Sequence, residues 1–480
     1  MIPRGAAVGR QQPRSAGVTR GIAPVLVLLS AGCTDLSRLP PGADVGPQPT
    51  LTEPTRTLLP TVNIAPASPW PDGQTPRPAD GMQVNAYATG LDHPRWLHVL
   101  PNGDVLVAET NAPERPARGN SLRGWIMTKF MALAGAGVPS ANRITLLRDA
   151  DGDGRAELRT TFLEDQNSPF GMALVGDRFY VANTDAVLEF AYHPGQTRIE
   201  GTGRRLSELP GGPLNHHWTK SLIAGPDGSK LYATVGSNSN VAENGMEQEE
   251  GRAAIWEIDR ASGEKRLYAT GLRNPNGMAW TPAPAGSGGT PTLWTVVNER
   301  DGIGSDLVPD YLTSVRDGGF YGWPFSWFGQ HVDHRVEPQR PERVARAIAP
   351  DYALGAHVAA LGLVAARVGG PLPQALAPVR GASAPGAGGA TAEEAQIAPV
   401  QGMFVGLHGS WNRRPHSGYK VVYVPFDGGK PQGMPVDVLT GFLSPEGKAW
   451  GRPVGVAIDG RSALLVADDV GNVVWRVSVR

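Results

Sequence analysis

The chain has 480 residues and a formal net charge of -1, so no basic field draws it toward nucleic acid. Apolar residues make up 40% and charged residues 19%, which is ordinary for a folded soluble protein. The single cysteine excludes an internal disulfide framework and a zinc site built from cysteines.

The first 33 residues predict a secretory signal that ends at Cys33. Arginines precede the short apolar run IAPVLVLLSA, which is too short to span a bilayer. Cys33 follows small residues, as in a bacterial lipoprotein signal, although Ser30 stands where such signals usually have leucine. We expect an acylated Cys33 and a periplasmic protein anchored to the outer membrane, with ordinary secretory cleavage as the alternative.

Residues 34–80 contain eleven prolines and no hydrophobic periodicity. This composition predicts an extended tether between the anchor and the folded body. A disordered segment without a role is the alternative.

From residue 81 onward, one pattern recurs: a loop, a short apolar run, a Gly-containing turn and a second β-rich run. The copies are WLHVLPNGDVLVAE (96–109), GMALVGDRFYVAN (171–183), LIAGPDGSKLYATVG (222–236), GMAWTPAPAGSGGTPTLWTVV (277–297), LGLVAARVGG with GMFVGLHGSW, and GVAIDGRSALLVADD (455–469). Each copy predicts a hairpin, and six copies at irregular spacing favour an all-β fold, a six-bladed β-propeller with four-stranded antiparallel blades. A possible helix lies near residues 124–137, and a low-complexity insertion at 369–400 predicts a flexible surface loop.

The polar motifs lie just before the first strand of a repeat or just after its second strand. They are NHHWTK, GLRNPNG, NERDGIG, HGSWNRR and WGRPVG. Because a propeller brings equivalent loops together around its axis, we expect these loops to share one rim. Each loop taken alone is also compatible with a blade-capping turn.

His217, in the first of these loops, is the candidate proton acceptor, because the unperturbed pKa of histidine is near neutrality. His216 points the other way if the loop is extended. A structural histidine bonded to a backbone carbonyl is the alternative for His217.

The second loop presents Arg273 and Asn274, a guanidinium and an amide that suit a planar anion or a quinone oxygen. An Asn that caps its own turn is the alternative. In the third loop, residues 298–302 offer acidic side chains and carbonyls that suit calcium, with an Arg–Asp surface pair as the alternative.

The last two loops add cationic groups: Asn412, Arg413 and Arg414 lie in one, and Arg452 lies in the other. Surface arginines are usually solvated. A cluster aimed at one axis would indicate a polyanionic ligand.

Asp149, Asp151 and Asp153 alternate in DADGDG, as in the first half of a calcium loop. The twelfth position counted from Asp149 is Thr160 and not a bidentate glutamate, so this is no EF-hand. We expect calcium in this inter-strand loop, with a metal-free Asx-rich turn as the alternative.

Together these loops resemble the soluble, pyrroloquinoline quinone (PQQ)-dependent sugar dehydrogenases, and most closely their L-sorbosone dehydrogenase branch. The resemblance covers residues 84–480 and is carried by GLDHPRWLHVLPNGDVLVAE, PSANRITLLRDADGDG, SPFGMALVGDRFYVANTDAV, HWTKSLIAGPDGSKLYATVGS, GLRNPNGMAW, NERDGIGSDLVPDYL, YGWP, LHGSWNRRPHSGYKVVYVPF and GRPVGVAIDG. It implies an enzyme that uses PQQ and Ca²⁺ to oxidise a sugar or a sugar aldehyde. It also implies an electron acceptor such as a cytochrome or a membrane quinone, and contact with the membrane through the lipid anchor only.

The resemblance also implies roles for single residues. His217 takes the proton of the substrate hydroxyl, with Trp218 as a wall of the cleft, and Arg273 and Asn274 lie near the reactive carbonyl of the quinone.

For the cofactors, the resemblance implies that Arg300 contacts PQQ, and that Arg413 and Arg452 bind its carboxylates. Asp301 and Gly302 are implied to ligate calcium through their carbonyl oxygens.

Three departures from the glucose-type enzymes stand beside this resemblance. Ser237 replaces an aspartate that orients the histidine, NERDG replaces Glu-Gln-Gly-Pro, and the 369–400 insertion is additional. Two other classes remain open: a calcium-dependent lactonase, which needs an axial metal held by carboxylates, and a non-catalytic periplasmic binding propeller. Clustering of the arginines favours the dehydrogenase.

Overall fold

The computed structural model describes residues 35–55, 61–114, 132–283, 289–367, 369–376 and 400–480. Cys33 and the expected signal lie outside these residues, as does most of the helix expected near residues 124–137. Over the described ranges, no helix is both long and apolar enough to cross a membrane.

The first half of the chain forms three early strands and three four-stranded blades. The early strands are β1 (Val45–Gly46), β2 (Arg77–Pro78) and β3 (Met82–Ala88). Blade 1 contains β4 (Pro94–Val99), β5 (Val105–Glu109), β6 (Arg143–Arg148) and β7 (Leu158–Leu163). Blade 2 contains β8 (Met172–Val175), β9 (Arg178–Ala182), β10 (Ala186–Ala191) and β11 (Arg204–Glu208). Blade 3 contains β12 (Leu222–Ala224), β13 (Lys230–Val235), a 3₁₀ turn (Met246–Glu249), β14 (Ala254–Asp259) and β15 (Lys265–Thr270).

The second half forms blades 4 to 6 and two short helices. Blade 4 and its excursion contain β16 (Asn274–Thr281), β17 (Thr292–Asn298), β18 (Pro309–Val315), β19 (Gly319–Phe320), β20 (Ser326–Trp327), β21 (His331–Val332), α1 (Pro341–Val344) and β22 (Tyr352–Ala356). Blade 5 contains β23 (Ala360–Arg367), α2 (Pro371–Leu376), β24 (Val400–Leu407), β25 (Lys420–Asp427), β26 (Lys430–Pro431) and β27 (Val436–Thr440). Blade 6 contains β28 (Pro453–Ile458), β29 (Leu464–Asp468) and β30 (Val473–Val479), and β3 is its fourth strand.

These sheets confirm the predicted six-bladed β-propeller. The turn between β4 and β5 contains Asn102-Gly103, and the turn between β12 and β13 contains Asp227-Gly228. Gly103 and Gly228 have φ values of 90° and 71°, which glycine adopts without steric cost. The Asn-Gly and Asp-Gly pairs therefore mark hairpins, as the sequence predicts.

The inner strands form a closed ring. The first strand of each blade contacts the first strand of the next, and β28 contacts β4. A Cβ on Gly277 would lie 2.5 Å from the Leu363 backbone nitrogen, and one on Gly362 would collide with the Val454 carbonyl. Glycine in the repeated motif thus permits the close approach of neighbouring blades.

Apolar side chains fill the spaces between blades. In one cluster, Leu106 and Phe162 of blade 1 pack with Phe179 and Val181 of blade 2. A single blade leaves these faces exposed, so the ring is the smallest unit that buries them.

The blade topology sorts the loops into two ends. Since successive strands are antiparallel, the loop before the first strand and the loop after the second lie at the same end of a blade. We call this end the site face, because all five polar motifs lie there. The turn between β6 and β7, with Asp149, Asp151 and Asp153, lies at the opposite end.

Residues 35–55 and 61–70, which we call the strap, belong to the segment expected to be a tether. They carry little regular structure, yet they lie against the propeller. Strand β1 pairs with β22, and Trp70 packs on Phe442 and Trp475. The described part of this segment is therefore part of the folded body.

The insertion at 369–400, expected to be a flexible surface loop, begins with a short helix. Residues Pro371–Leu376 form α2, and Leu372 is buried in the apolar core shared by blades 5 and 6. Apolar Leu372 and Leu376 supply the buried face that favours this short helix. Residues 377–399 lie outside the described residues.

Candidate active site

His217 lies on the site face and is oriented by the backbone. Its Nδ1 lies 2.7 Å from the Ser237 carbonyl oxygen and 3.1 Å from the Ser237 hydroxyl, which itself donates to Ser239. These acceptors assign the proton to Nδ1 and leave a lone pair on Nε2. Burial and the nearby Arg273 hold the pKa of His217 well below its usual range, so the imidazole is neutral at pH 7.

The loop that carries His217 is anchored from below by Lys220. The Lys220 side chain is buried, and its Nζ donates to the Trp218 carbonyl at 3.1 Å. Burial and the charge of Arg252 hold the pKa of Lys220 well below its usual range. Lys220 therefore supports the loop. His216, the neighbour of His217 in the sequence, is exposed.

Arg273 and Asn274 lie close to His217, while their place at the quinone carbonyl stays a prediction. The Ser237 amide donates to the Arg273 carbonyl at 2.7 Å, which joins the two loops. A Cβ on Gly236 would collide with Asn274 Oδ1 and lie 2.5 Å from the His217 Cβ, so glycine there lets the two side chains approach.

Asp301 collects three donors from three loops, and we call this group the Asp301 centre. Arg273 Nη2 lies 3.4 Å from Asp301 Oδ2. Asn412 Nδ2 donates to Oδ1 at 2.8 Å, and His357 Nδ1 lies 3.3 Å from Oδ1. Burial acts to raise the pKa of Asp301, but the His357 hydrogen bond and the Arg273 charge lower it to about 2.

His357 completes this centre as a cation. Its Nε2 donates to the Gly304 carbonyl at 2.9 Å, so both ring nitrogens face oxygen acceptors. Burial opposes the charged form, but the contact with Asp301 raises the pKa of His357. The centre therefore combines one carboxylate with a guanidinium and an imidazolium.

Asp469 collects a second group of donors, the Asp469 centre, on the other side of the ring. Arg95 Nη1 donates to Asp469 Oδ2 at 2.8 Å and His408 Nε2 does so at 2.9 Å, while His93 Nε2 lies 3.5 Å away. Burial acts to raise the pKa of Asp469, but the two histidines and Arg95 lower it. Burial lowers the pKa values of His408 and His93, the latter to about 4.

The two centres are joined into a ring around the axis. Arg95 lies over the Trp218 indole at 5.9 Å, which connects the Asp469 centre to the His217 loop. His408 and Asn412, one from each centre, share the loop after β24. Trp218 is buried at the junction of the two centres, and its role as a wall of the cleft stays a prediction.

Arg452 and Arg413, both predicted to bind carboxylates of the cofactor, lie in different surroundings. Arg452 is buried beside the residues of the two centres. Its guanidinium lies 4.8 Å from the centroid of the Tyr419 side chain and donates to the Gly409 carbonyl at 3.4 Å. Arg413 turns toward the strap, where it donates to the Ser37 hydroxyl at 3.0 Å.

Arg300 lies inside the blade rather than in the cleft. Its guanidinium is fully buried and donates to Glu299, Asp333 and the carbonyls of Pro324 and Ser326. These four partners satisfy it, so the structure does not bring Arg300 to the ring as a cofactor contact.

Several buried polar atoms of the ring have no hydrogen-bond partner among the described residues. They are Asn274 Oδ1, Asn412 Oδ1, Arg95 Nε, Arg452 Nε, His93 Nε2 and Asp469 Oδ1. A buried polar atom without a partner is costly, so such atoms favour a site that receives a polar group.

The predicted calcium loop lies at the opposite end. One carboxylate oxygen from each of Asp149, Asp151, Asp153 and Glu157 lies within 4.8 Å of the others. Asp149 also accepts from the amides of Gly152 and Gly154, as in an Asx-rich turn. Calcium in this loop stays a prediction.

Sequence reasoning missed His357 and the whole Asp469 centre. Within GLDHPRW, His93 directly precedes β4 and Arg95 lies at its start, and Asp469 follows β29 in VADD. Their positions, before a first strand and after a second strand, are the signal that could have found them.

A protein-family model described as TrAA12-like matches residues 138–309 and 342–479. The chain is also similar to an uncharacterized protein of Borreliella burgdorferi, with 24% identity over 271 residues. That match covers 56% of this chain, and the chain spans 62% of the relative's length.

Two solved structures share the fold. The Trichoderma reesei carbohydrate-active enzyme of family AA12, in its iodide structure, has a TM-score of 0.63 and 18% identity, covering 87% of this chain and 99% of that one. The holo form of the pyranose dehydrogenase PQQ domain from Coprinopsis cinerea has a TM-score of 0.62 and 20% identity, covering 87% of this chain and 100% of that one.

Proposed function

The chain belongs to the TrAA12-like family, and on that premise we propose that it is a PQQ-dependent oxidoreductase that oxidises a sugar or a sugar aldehyde of the L-sorbosone or aldose type. The PQQ domain that shares its fold, from Coprinopsis cinerea, is named for that cofactor. The arrangement of the ring supports the proposal independently.

The ring residues fit PQQ. This cofactor is a tricarboxylate with quinone oxygens, and the ring offers the guanidinium groups of Arg95, Arg273 and Arg452. The unpartnered atoms Arg95 Nε and Arg452 Nε are donors suited to carboxylate oxygens. When bound, PQQ would supply the two-electron acceptor that the protein lacks.

His217 carries the proposal. A neutral imidazole with Nδ1 bonded to a carbonyl presents Nε2 as a proton acceptor. Its low pKa keeps Nε2 free at neutral pH. His217 would hold the proton that leaves a substrate hydroxyl, while Trp218 and Arg95 exclude water from one side.

Calcium fits this site less well than PQQ does. The Asp301 carbonyl accepts from Asn240 at 2.9 Å and from Arg335 at 2.8 Å, and its carboxylate faces three N–H donors. A hard cation prefers oxygen ligands without such donors. The Gly302 carbonyl remains the proposed calcium ligand.

The lactonase alternative finds no support in this geometry. Among the described residues, the one group of three or more carboxylate or imidazole ligand atoms that all lie within 4.8 Å of one another is in the Asp149 loop, away from the site face. A binding propeller without chemistry remains the outcome if no oxidation is found.

The test is to titrate the purified protein with PQQ, with and without calcium, and to follow dye reduction by L-sorbosone, glucose and other aldoses. We expect PQQ-dependent activity that His217→Ala abolishes and His216→Ala, the exposed neighbour, retains. Absence of PQQ binding at micromolar cofactor would reject the proposal.

For location and partners, we propose a periplasmic lipoprotein acylated at Cys33 and anchored to the outer membrane. Its electrons would pass to a cytochrome or a membrane quinone. Mass spectrometry of the mature amino terminus tests the acylation.

A further inference from the structure

The strap contacts three of the four loops that meet at Asp301, all but the loop of Arg273. These loops are residues 301–306, which carry Asp301 itself, residues 356–359, which carry His357, and residues 408–416, which carry Asn412. The strap was expected to be a tether, so its contacts with the site face have no counterpart in the sequence motifs.

The first loop is held from two points of the strap. The Ser305 amide donates to the Asp35 carboxylate at 2.5 Å, and the Ser305 hydroxyl donates to the Asp35 carbonyl at 3.0 Å. The Thr55 amide donates to the Ile303 carbonyl at 2.9 Å. Both contacts lie within four residues of Asp301.

The second loop is held by Asp44, which is buried. Its Oδ2 accepts from the Ala356 amide at 2.8 Å, directly before His357. The same carboxylate lies 3.6 Å from Arg413 Nη2, so Asp44 joins the second loop to the third.

The third loop is held by Asn63, which binds on both sides of Asn412. The Asn63 amide donates to the Trp411 carbonyl at 2.8 Å, and its side-chain Nδ2 donates to the Arg413 carbonyl at 2.8 Å. These bonds fix the backbone of Asn412, whose Nδ2 donates to Asp301 and whose Oδ1 has no partner among the described residues.

We propose that Asp44 and Asn63 are positioning residues of the active site, which hold His357 and Asn412 against the Asp301 carboxylate. Each acts on the residue next to the one that touches Asp301. Through Asn412 and Arg273 the strap would set the geometry offered to the cofactor. The cofactor part of this inference rests on the proposed function; the assembly of the Asp301 centre does not.

The strap is also fastened away from these loops, which separates positioning from simple attachment. Trp70 Nε1 donates to the Asp468 carboxylate at 2.9 Å, and Ala67 and Ser68 bond to the backbone of Leu133 and Ala449. Loss of one contact at Asp44 or Asn63 therefore leaves other attachments intact.

The experiment compares Asp44→Ala and Asn63→Ala with Glu53→Gln, an exposed position on the strap, in the full chain. Hydrogen exchange of the cofactor-free protein is expected to rise in all three loops for the first two variants only. The PQQ dissociation constant is expected to rise about tenfold for each, the equivalent of one or two lost hydrogen bonds. Melting temperatures are expected to stay within about 3 °C of the parent.

A second arm tests whether the effect passes through Asp301. In an Asp301→Asn background, Asn63→Ala is expected to have little further effect on PQQ affinity, because coupled residues are not additive. An unchanged tenfold loss there, or exchange that rises only in the loop to which the altered residue is directly bonded, would overturn the inference. If the parent binds no PQQ, the proposed function fails, while hydrogen exchange still decides whether the strap assembles the centre.

Discussion

The Asp301 and Asp469 centres are built from the same parts but hold their charge differently. Each has one carboxylate, one arginine at the carboxylate and histidine partners. The Asp301 side chain is 26% exposed, whereas the Asp469 side chain is 1% exposed. His357 is held as a cation at Asp301, whereas burial keeps His93 and His408 toward the neutral form at Asp469.

The difference in exposure suits the Asp301 centre to contact with a ligand and the Asp469 centre to structural support. A partly exposed carboxylate with satisfied donors can exchange partners when a ligand enters. A buried carboxylate fixes its arginine, and here Asp469 orients Arg95 over the Trp218 indole. We therefore propose that the Asp301 centre takes part directly in ligand recognition. The Asp469 centre would hold Arg95 in place, with the Arg95 Nε, which has no partner among the described residues, left for the ligand.

The largest effect is expected at His217, which lies between the two centres. His217→Ala removes the proton acceptor without touching either carboxylate, so oxidation should fall by about 10²–10⁴-fold. PQQ affinity and the melting temperature should change little. Steady-state dye reduction with calorimetric cofactor titration checks this, and a parallel loss of cofactor binding would mean that His217 supports the site instead.

Asp469→Asn should have the largest effect on stability. It leaves Arg95 buried without its counter-charge, which costs about 3–5 kcal/mol in the free energy of unfolding. Denaturant unfolding measures this value. A loss similar to that of an exposed carboxylate would contradict the role of Asp469 as a support.

The two centres should lose their contributions to stability in different ranges of acid pH. His93 has a pKa of about 4 in the folded chain, against about 6.5 unfolded, so its stabilising contribution is complete above pH about 6.5 and is lost toward pH 4, on the order of 3 kcal/mol. Asp301, with a pKa of about 2, contributes fully above pH about 4 and loses this contribution only below it. The free energy of unfolding of His93→Gln should change less between pH 6.5 and 4 than that of the parent. An equal dependence on pH in the two proteins would mean that another group titrates in this range.

Asp301→Asn should reduce stability less than Asp469→Asn does, by about 1–3 kcal/mol, because one charged acceptor is replaced by an amide at a partly exposed position. Its effect on PQQ affinity should exceed that of a stability-matched core variant such as Val466→Ala. If the two variants bind PQQ equally, Asp301 has no part in recognition.

The sequence predicts the fold and one half of the ring well. Turn pairs such as Asn102-Gly103 identify hairpins, and Arg273, Asn274 and Asp301 occur in polar motifs that stand out from the strands. Position in the repeat also predicts that these loops share one end.

The Asp469 centre could not be predicted in the same way, since its members are single residues from blades 1, 5 and 6. The pair Asp468-Asp469 illustrates the difficulty. Asp468 accepts from the indoles of Trp70 and Trp475 at 2.9 and 3.0 Å and supports the core, while its neighbour faces Arg95 and His408. Only the direction of each side chain at the end of β29 separates them.

The bond between Asp35 and Ser305 has a consequence for the distance between this protein and a bilayer. A polypeptide extends at most about 3.6 Å per residue, so two residues of chain bridge at most about 7 Å. A lipid on Cys33, as proposed, would therefore have no long linker to the folded body, and the site face would lie beside the lipid headgroups.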